Sequence, residues 1–130
     1  KARVKTFHKK NFSTTVTPDN TVLYENFIKQ QYLQSAEGMF LEQGTPVALR
    51  MVVRFLPTKS TSKKKQAQML EGEILPLKKP DIDNVVKVIC DALNGVAYHD
   101  DTQVVMINAK KAYSAVEGVD VIVEEYINGR

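Results

Sequence analysis

Apolar side chains near the start of the chain follow the period of a helix. Within residues 18–35 they recur at steps of three and four, at Tyr24, Phe27, Ile28 and Tyr32. A proline and an aspartate stand at the beginning of this stretch, where helices commonly start. We therefore expect a helix here, with its aromatic side chains in the core.

The middle of the chain changes from an apolar stretch to a polar, lysine-rich one. Residues 45–56 are rich in β-branched and apolar side chains and end at Pro57, so they predict a mostly buried strand. Residues 59–74 have no such pattern. Their composition leaves open both a short helix around residues 63–69 and a mobile basic loop.

A second helix is predicted by an amphipathic pattern further on. Val86, Ile89, Cys90 and Leu93 occupy one apolar face, so Cys90 is expected to be a small buried side chain. Gly95 follows as the left-handed residue that commonly ends such a helix. The opposite face carries polar residues, namely Asn84, Lys87 and Asp91.

Two strand patterns complete the chain, over residues 102–111 and 119–126. The order helix, strand, basic segment, helix, strand, strand indicates an α+β (mixed α/β) fold in which helices flank a small mixed β-sheet. Because there is no internal repeat and no Pro/Gly-rich linker, we expect residues 1–130 to form one domain. The chain begins with Lys1 rather than Met, so we expect its natural N-terminus to be truncated.

Composition excludes several classes of protein. The single cysteine allows neither an intrachain disulfide nor a CxxC zinc or redox motif. No apolar run approaches the roughly 18 residues of a membrane helix, so we expect no membrane partner. A Gly-rich phosphate loop, a Ser-His-Asp arrangement and HExxH are all absent from the sequence, and we expect no organic cofactor.

Charge is distributed unevenly, although 18 basic and 15 acidic residues leave a net charge of only +3. Residues 1–10 and 50–65 are basic, whereas residues 71–101 are mainly acidic. Basic segments around a group of carboxylates suit an enzyme that binds a polyanion and holds a divalent metal. The alternative is a solvated surface of mixed charge.

Asp81 and Asp83 are the first candidate metal ligands. Pro80 disfavours a helix before it and the helical pattern starts only at Asn84, so residues 81–83 are predicted to be extended. In an extended chain, residues two apart point the same way, and two converging carboxylates favour a hard cation such as Mg²⁺ between them. The alternative is that Asp83 only caps the helix.

A second acidic pair, Asp100 and Asp101, stands at the entrance to the strand that follows this helix. If that strand runs alongside the helix, the second acidic pair can lie near the first one. The alternative is that the second pair belongs to an ordinary polar turn. Lys87 lies one helical turn beyond Asp83, where an ammonium group can stabilise charge on a phosphate, or can form an ion pair with Asp91. His99 is a candidate general base or an ordinary turn residue.

Several spaced motifs occur in a defined order: KPDIDN at residues 79–84, Lys87, DALNG at 91–95, YHDD at 98–101 and QVV at 103–105. In this combination the chain resembles the RusA family of Holliday junction resolvases, most closely over residues 78–111. Residues 1–3 resemble the end of that family's basic N-terminal motif, and residues 24–25 resemble part of its first helix.

The resemblance implies a homodimeric, Mg²⁺-dependent endonuclease, often phage-encoded, that nicks opposed strands of a four-way DNA junction in recombination and repair. Mn²⁺ is expected to substitute for Mg²⁺, and the location to be the cytoplasm of a bacterial cell or of a phage-infected host. Carried over residue by residue, Asp81, Asp83 and Asp101 would be the metal-binding catalytic acids and Lys87 the catalytic lysine. Residues expected to support them are Asp100, Asp91, Asn84 and His99.

The implied mechanism is metal-assisted phosphodiester hydrolysis, with a two-fold dimer placing two sites symmetrically on the junction. Basic residues would hold the DNA arms by their phosphates. Those residues are Lys1, Arg3, Lys63, Lys64, Lys65, Lys78 and Lys79. Two alternatives stay open, namely a basic nucleic-acid-binding module without catalysis and a metal-dependent nuclease for flaps, forks or plain duplex.

Overall fold

The computed structural model describes residues 9–14, 21–36 and 39–128. Helices and strands follow one another in this order: β1 (Lys9–Thr14), α1 (Thr21–Ala36), β2 (Val47–Phe55), α2 (Lys63–Leu70), α3 (Ile82–Leu93), β3 (Val104–Tyr113) and β4 (Gly118–Glu125). The predicted helices and strands are confirmed, and the lysine-rich segment contains the short helix rather than only a loop. β1 is an addition, because its sequence KKNFST has no apolar alternation that would have indicated a strand.

The strands form one mixed sheet, which confirms the predicted fold class. Their order is β1-β4-β2-β3, so β2 and β4 are central within the described sheet. β4 runs antiparallel to both β1 and β2, whereas β2 and β3 are parallel. A parallel pair needs a crossover connection, and the segment containing α2 and α3 supplies it. This crossover brings the start of β3 next to β2.

The core lies on one face of the sheet, against α1 and α3. Alternate residues of β2 point into it because successive strand residues face opposite sides. The buried core cluster includes Ile28 and Tyr32 of α1, five residues of β2 from Val47 to Phe55, and Val119, Val121 and Val123 of β4. On the other face, Arg50 forms an ion pair with Glu124 at 2.8 Å. The sheet therefore has one apolar and one charged face.

α3 presents a different face to the core from the one its sequence predicted. Ile89 and Leu93 are buried as expected, but Val86 and Cys90 are only partly buried. The side chains that replace them in the core are Val85, Val88 and Ala92. Apolar residues surround most of this helix, so its periodicity fits more than one stripe, and contacts with α1 and the sheet decide which one is buried.

Phe27 corrects a second expectation, because its side chain is 37% exposed rather than part of the core. Its neighbour Ile28 is fully buried instead, together with Tyr32. Residues i and i+4 lie on the same face of a helix, so burial of this pair turns Phe27 toward the edge of the interface. None of the described helices is long and apolar enough to cross a membrane.

Candidate active site

Asp81 and Asp83 stand at the N-terminus of α3, but not in the extended arrangement that the sequence predicted. Asp81 is the extended N-cap residue, and its carbonyl already accepts a hydrogen bond from the N–H of Val85 at 3.2 Å. Helical geometry begins at Ile82, two residues before the expected start, so Asp83 lies in the first turn. The alternation expected for residues 81–83 is therefore wrong, because the helix starts directly after Asp81.

The two carboxylates have different local roles. Asp83 Oδ1 accepts a hydrogen bond from the N–H of Asn84 at 3.0 Å, which satisfies one of the free donors of the first turn. Asp81 occupies the cap position but makes no capping hydrogen bond with its side chain. Both residues are exposed. Their negative charges interact favourably with the partial positive charge of the helix N-terminus.

Lys87 lies one turn further along the same exposed side of α3. Its Nζ is 3.6 Å from Asp91 Oδ2, which is the ion pair that the sequence offered as an alternative. The Lys87 side chain is 76% exposed, so water screens this interaction. The ion pair therefore holds the Lys87 side chain only weakly.

The second acidic pair belongs to a 3-10 turn, Asp101–Gln103, that directly precedes β3. Asp100 caps this turn, since its Oδ2 accepts a hydrogen bond from the N–H of Thr102 at 3.0 Å. Hydrogen bonds from the side chain and backbone of Thr102 lower the pKa of Asp100. Asp100 therefore has the structural role expected of a residue in a polar turn. Asp101 stays exposed at the first position of the turn.

Gln103 completes the capping box and is a structural residue that the sequence reasoning missed. Its Oε1 accepts the N–H of Asp100 at 2.9 Å. Its Nε2 lies within hydrogen-bond distance of three carbonyls of the segment before β2, those of Leu41 (3.3 Å), Glu42 (2.9 Å) and Thr45 (3.0 Å). The side chain is buried, so it holds the acidic turn against another segment. The Asp-x-x-Gln spacing is a capping-box signature and could have identified it.

The charge of Asp101 reaches Cys90, which lies in the C-terminal half of α3. Burial raises the pKa of the Cys90 thiol, and the negative charges of Asp101 and Asp91 raise it further. The same two charges act on Tyr98, whose pKa is raised mainly by burial.

The carboxylates suit a hard divalent cation by their chemistry, because oxygen ligands are what Mg²⁺ prefers. Their positions, however, do not form a complete metal site. Within residues 9–14, 21–36 and 39–128, no group of three or more His, Cys, Asp or Glu side chains is arranged to hold a metal ion. Asp81, Asp83 and Asp101 thus form no ready three-ligand site in this part of the chain, and their role as metal ligands stays a prediction.

The remaining candidates occupy exposed positions around these acids. His99 is exposed in the turn before Asp100, and Asn84 is exposed on the first turn of α3. The basic candidates within the described residues are also exposed, namely Lys63, Lys64, Lys65, Lys78 and Lys79. Lys1 and Arg3 lie outside the described residues.

Two comparisons with known proteins bear on this site. A family model described as "Endodeoxyribonuclease RusA" matches residues 1–124. The chain is also 46% identical over 66 residues to a protein of Bacillus subtilis (strain 168) with the name "Uncharacterized protein YqaN". That match covers 51% of this chain and 46% of the relative, so the chain spans less than half the length of this curated protein.

Proposed function

Because the chain belongs to the RusA endodeoxyribonuclease family, we propose that it is a metal-dependent hydrolase that nicks opposed strands of a four-way DNA junction during recombination and repair. The observation that carries the proposal is the pair of exposed carboxylates, Asp81 and Asp83, at the start of α3. Exposed Lys78 and Lys79 precede Asp81, separated from it by Pro80, and would supply positive charge for a DNA backbone.

Asp81 and Asp83 would hold the divalent cation, with Mg²⁺ as the expected ion and Mn²⁺ as a substitute. When bound, such an ion supplies a Lewis acid and lowers the pKa of a coordinated water. Asp81 suits this role because its side chain makes no capping hydrogen bond. Asp83 uses only Oδ1 for the N–H of Asn84, and a carboxylate has further lone pairs to offer.

Asp101 enters the proposal as the third acid, from the turn that directly precedes β3. We expect Asp101→Asn to lose cleavage as Asp83→Asn does. An Asp101→Asn protein that folds and cleaves normally would remove Asp101 from the proposed site.

Lys87 would offset negative charge on the phosphate that is cut. Its ion pair with Asp91 is worth less than about 0.5 kcal/mol at this exposure, so turning toward DNA costs little. The long, flexible stem of a lysine gives the ammonium a wide reach from one helix position, whereas the short side chain of an aspartate keeps its carboxylate close to the backbone. The acids thus bind the ion and the lysine binds the phosphate.

The proposed assembly is a homodimer, since two symmetric nicks need two active sites related by a two-fold axis. Lysines of α2 and of the segment before α3 would hold the DNA arms through their phosphates, with little sequence information. The proposed location is the cytoplasm of a bacterial cell or of a phage-infected host, where such junctions arise.

The test is cleavage of a labelled synthetic four-way junction beside a linear duplex of the same sequence, in Mg²⁺ or in EDTA. Wild type is compared with Asp83→Asn and with Glu73→Gln, which removes an exposed acid from the loop after α2. We expect paired, symmetric nicks that need the metal and Asp83, that spare the duplex, and that Glu73→Gln leaves unchanged.

Each other outcome favours a different function. If flaps, forks or duplex are cleaved as well as the junction, the outcome would favour a nuclease of broader substrate range over a resolvase. Tight junction binding without any cut by wild type would favour the non-catalytic binding module. Sedimentation of the protein with and without the junction tests the homodimer separately, because a monomer on the junction contradicts paired nicking.

A further inference from the structure

Two lysine side chains converge on the ring of Phe55, at the end of β2. Nζ of Lys78 lies 5.7 Å from the ring centroid and Nζ of Lys111 lies 5.4 Å from it. Nζ of Lys111 also donates a hydrogen bond of 2.6 Å to the backbone carbonyl of Lys78. The ring belongs to the buried core, so its position beside both ammonium groups is fixed. β3 is thereby joined to the segment that leads into α3.

The charges of this pair are not neutralised by acids. Within the described part of the chain, neither Lys78 nor Lys111 has a carboxylate oxygen within 4.0 Å, since the ion pairs found there involve other cations. Each ammonium group is attracted to the ring of Phe55, and that of Lys111 also donates to one carbonyl. An ammonium has three donors, and Lys111 uses one of them on the carbonyl. Donors and positive charge are therefore left for an anion.

The pair is close to the proposed active site along the chain. Lys78 precedes Asp81 by three residues, which span at most about 11 Å even when fully extended. A DNA strand whose reacting phosphate lies at Asp81 therefore carries neighbouring phosphates past the two ammonium groups. Two ammonium groups beside one aromatic ring suit a phosphodiester, whose two free oxygens can accept charge-assisted hydrogen bonds from both.

We propose that Lys78 and Lys111, supported by Phe55, bind one backbone phosphate of the DNA beside the phosphate that is cut. The ligand class rests on the proposed function, because DNA is the polyanion concerned. Lys111 is new as a contact, since the basic runs of the sequence did not include it. It is brought to Lys78 by the parallel pairing of β3 with β2, in which Lys111 stands opposite Val53.

The test compares Lys111→Met with Lys110→Met. Both variants remove one positive charge from β3, but Lys110 is exposed and points to the other face of the sheet. Binding of a labelled four-way junction is measured by fluorescence anisotropy in EDTA over a series of salt concentrations. We expect Lys111→Met to weaken binding about tenfold at low salt and to reduce the salt slope by about one. Lys110→Met should cause a clearly smaller change in both.

Two further variants separate phosphate binding from a purely structural tether. Lys111→Arg keeps the charge and should keep most of the affinity. Lys78→Met, in an exposed segment, should reproduce the loss, and the double variant should lose less than the sum because both side chains contact one phosphate. Hydrogen exchange of residues 76–84 measures whether Lys111 holds this segment in place. Faster exchange in Lys111→Met with an unchanged salt slope would overturn the proposal.

Measuring junction binding in EDTA also allows the phosphate contact and the proposed function to be tested separately. Since binding is measured without metal, a wild-type protein that binds junctions but never cuts them contradicts the hydrolase and leaves the phosphate contact measurable. A wild-type protein that does not bind DNA overturns both. Equal effects of Lys111→Met and Lys110→Met would overturn the phosphate contact alone.

Discussion

Single side chains hold the acidic turn in place, and Gln103 connects it to the segment before β2. Its amide is buried and bonded at both ends, to Asp100 on one side and to backbone carbonyls near Glu42 on the other. A buried polar group costs little only while it is paired. The position of Asp101 therefore depends on a residue that itself does no chemistry.

Replacement of Gln103 by Leu should destabilise the protein by roughly 2–4 kcal/mol, because buried backbone groups lose their partners. Urea unfolding measures this change. Gln43→Leu is the matched control, since Gln43 is exposed in the same segment, and it should stay within about 0.5 kcal/mol of wild type. Equal effects of the two substitutions would contradict the role given to Gln103.

Lys87→Met should separate catalysis from stability. The ion pair with Asp91 is exposed, so its loss should change the free energy of unfolding by less than about 0.5 kcal/mol. Junction cleavage should fall by about 100-fold or more if the ammonium stabilises charge in the transition state. Lys59→Met removes another exposed lysine, and this variant should cleave normally. A Lys87→Met protein that cleaves as fast as wild type would remove this lysine from the mechanism.

At the scale of elements, the helix termini position the candidate chemistry. α3 starts at the acidic pair, and α2 presents its lysines from the first turn. Ser62 caps α2 by accepting the N–H of Lys65 at 3.2 Å. A helix of eight residues is marginal by itself, so its cap and the burial of Met69 decide whether it forms.

Ser62→Ala should therefore cost about 1 kcal/mol and loosen α2 locally. Hydrogen exchange of the amides of residues 63–70 should become faster, while exchange in α3 stays unchanged. Ser60→Ala removes a neighbouring exposed hydroxyl and serves as the control. Unchanged protection of α2 in Ser62→Ala would show that packing of Met69 alone maintains the helix.

At the scale of the whole molecule, one core joins α1, α3 and the sheet, and Tyr32 is buried within it. The Tyr32 hydroxyl donates to the carbonyl of Met39 at 3.0 Å. Burial raises the pKa of Tyr32 from 10.0 to about 12. The folded state thus keeps this proton at a pH where the unfolded chain releases it.

This shift predicts that stability falls in alkaline solution. The contribution of Tyr32 is fully present below pH 10 and is lost as the pH rises through 10 toward about 12. Thermal unfolding at pH 8, 10 and 11 should show a falling Tm for wild type. Tyr32→Phe should have a flatter profile over the same range, and parallel profiles would assign the alkaline loss to other groups.

The sequence by itself determined what depends on near neighbours. The spacing of apolar side chains predicted α1, α3 and the later strands. The order of the motifs around Asp81 and Asp101 identified the family. These signals are local, because the residues involved interact within one turn, one strand or one short motif. The residue types of the candidate site could be read from the sequence for the same reason.

Tertiary structure decided the properties that depend on residues far apart in the chain. The buried face of α3 includes Val85 rather than Val86, because α1 and the sheet pack against that side. The parallel neighbour of β2 is β3, which brings Lys111 to Phe55 and Lys78. Burial and register are set by such contacts, and several arrangements are compatible with one local pattern until the whole chain is packed.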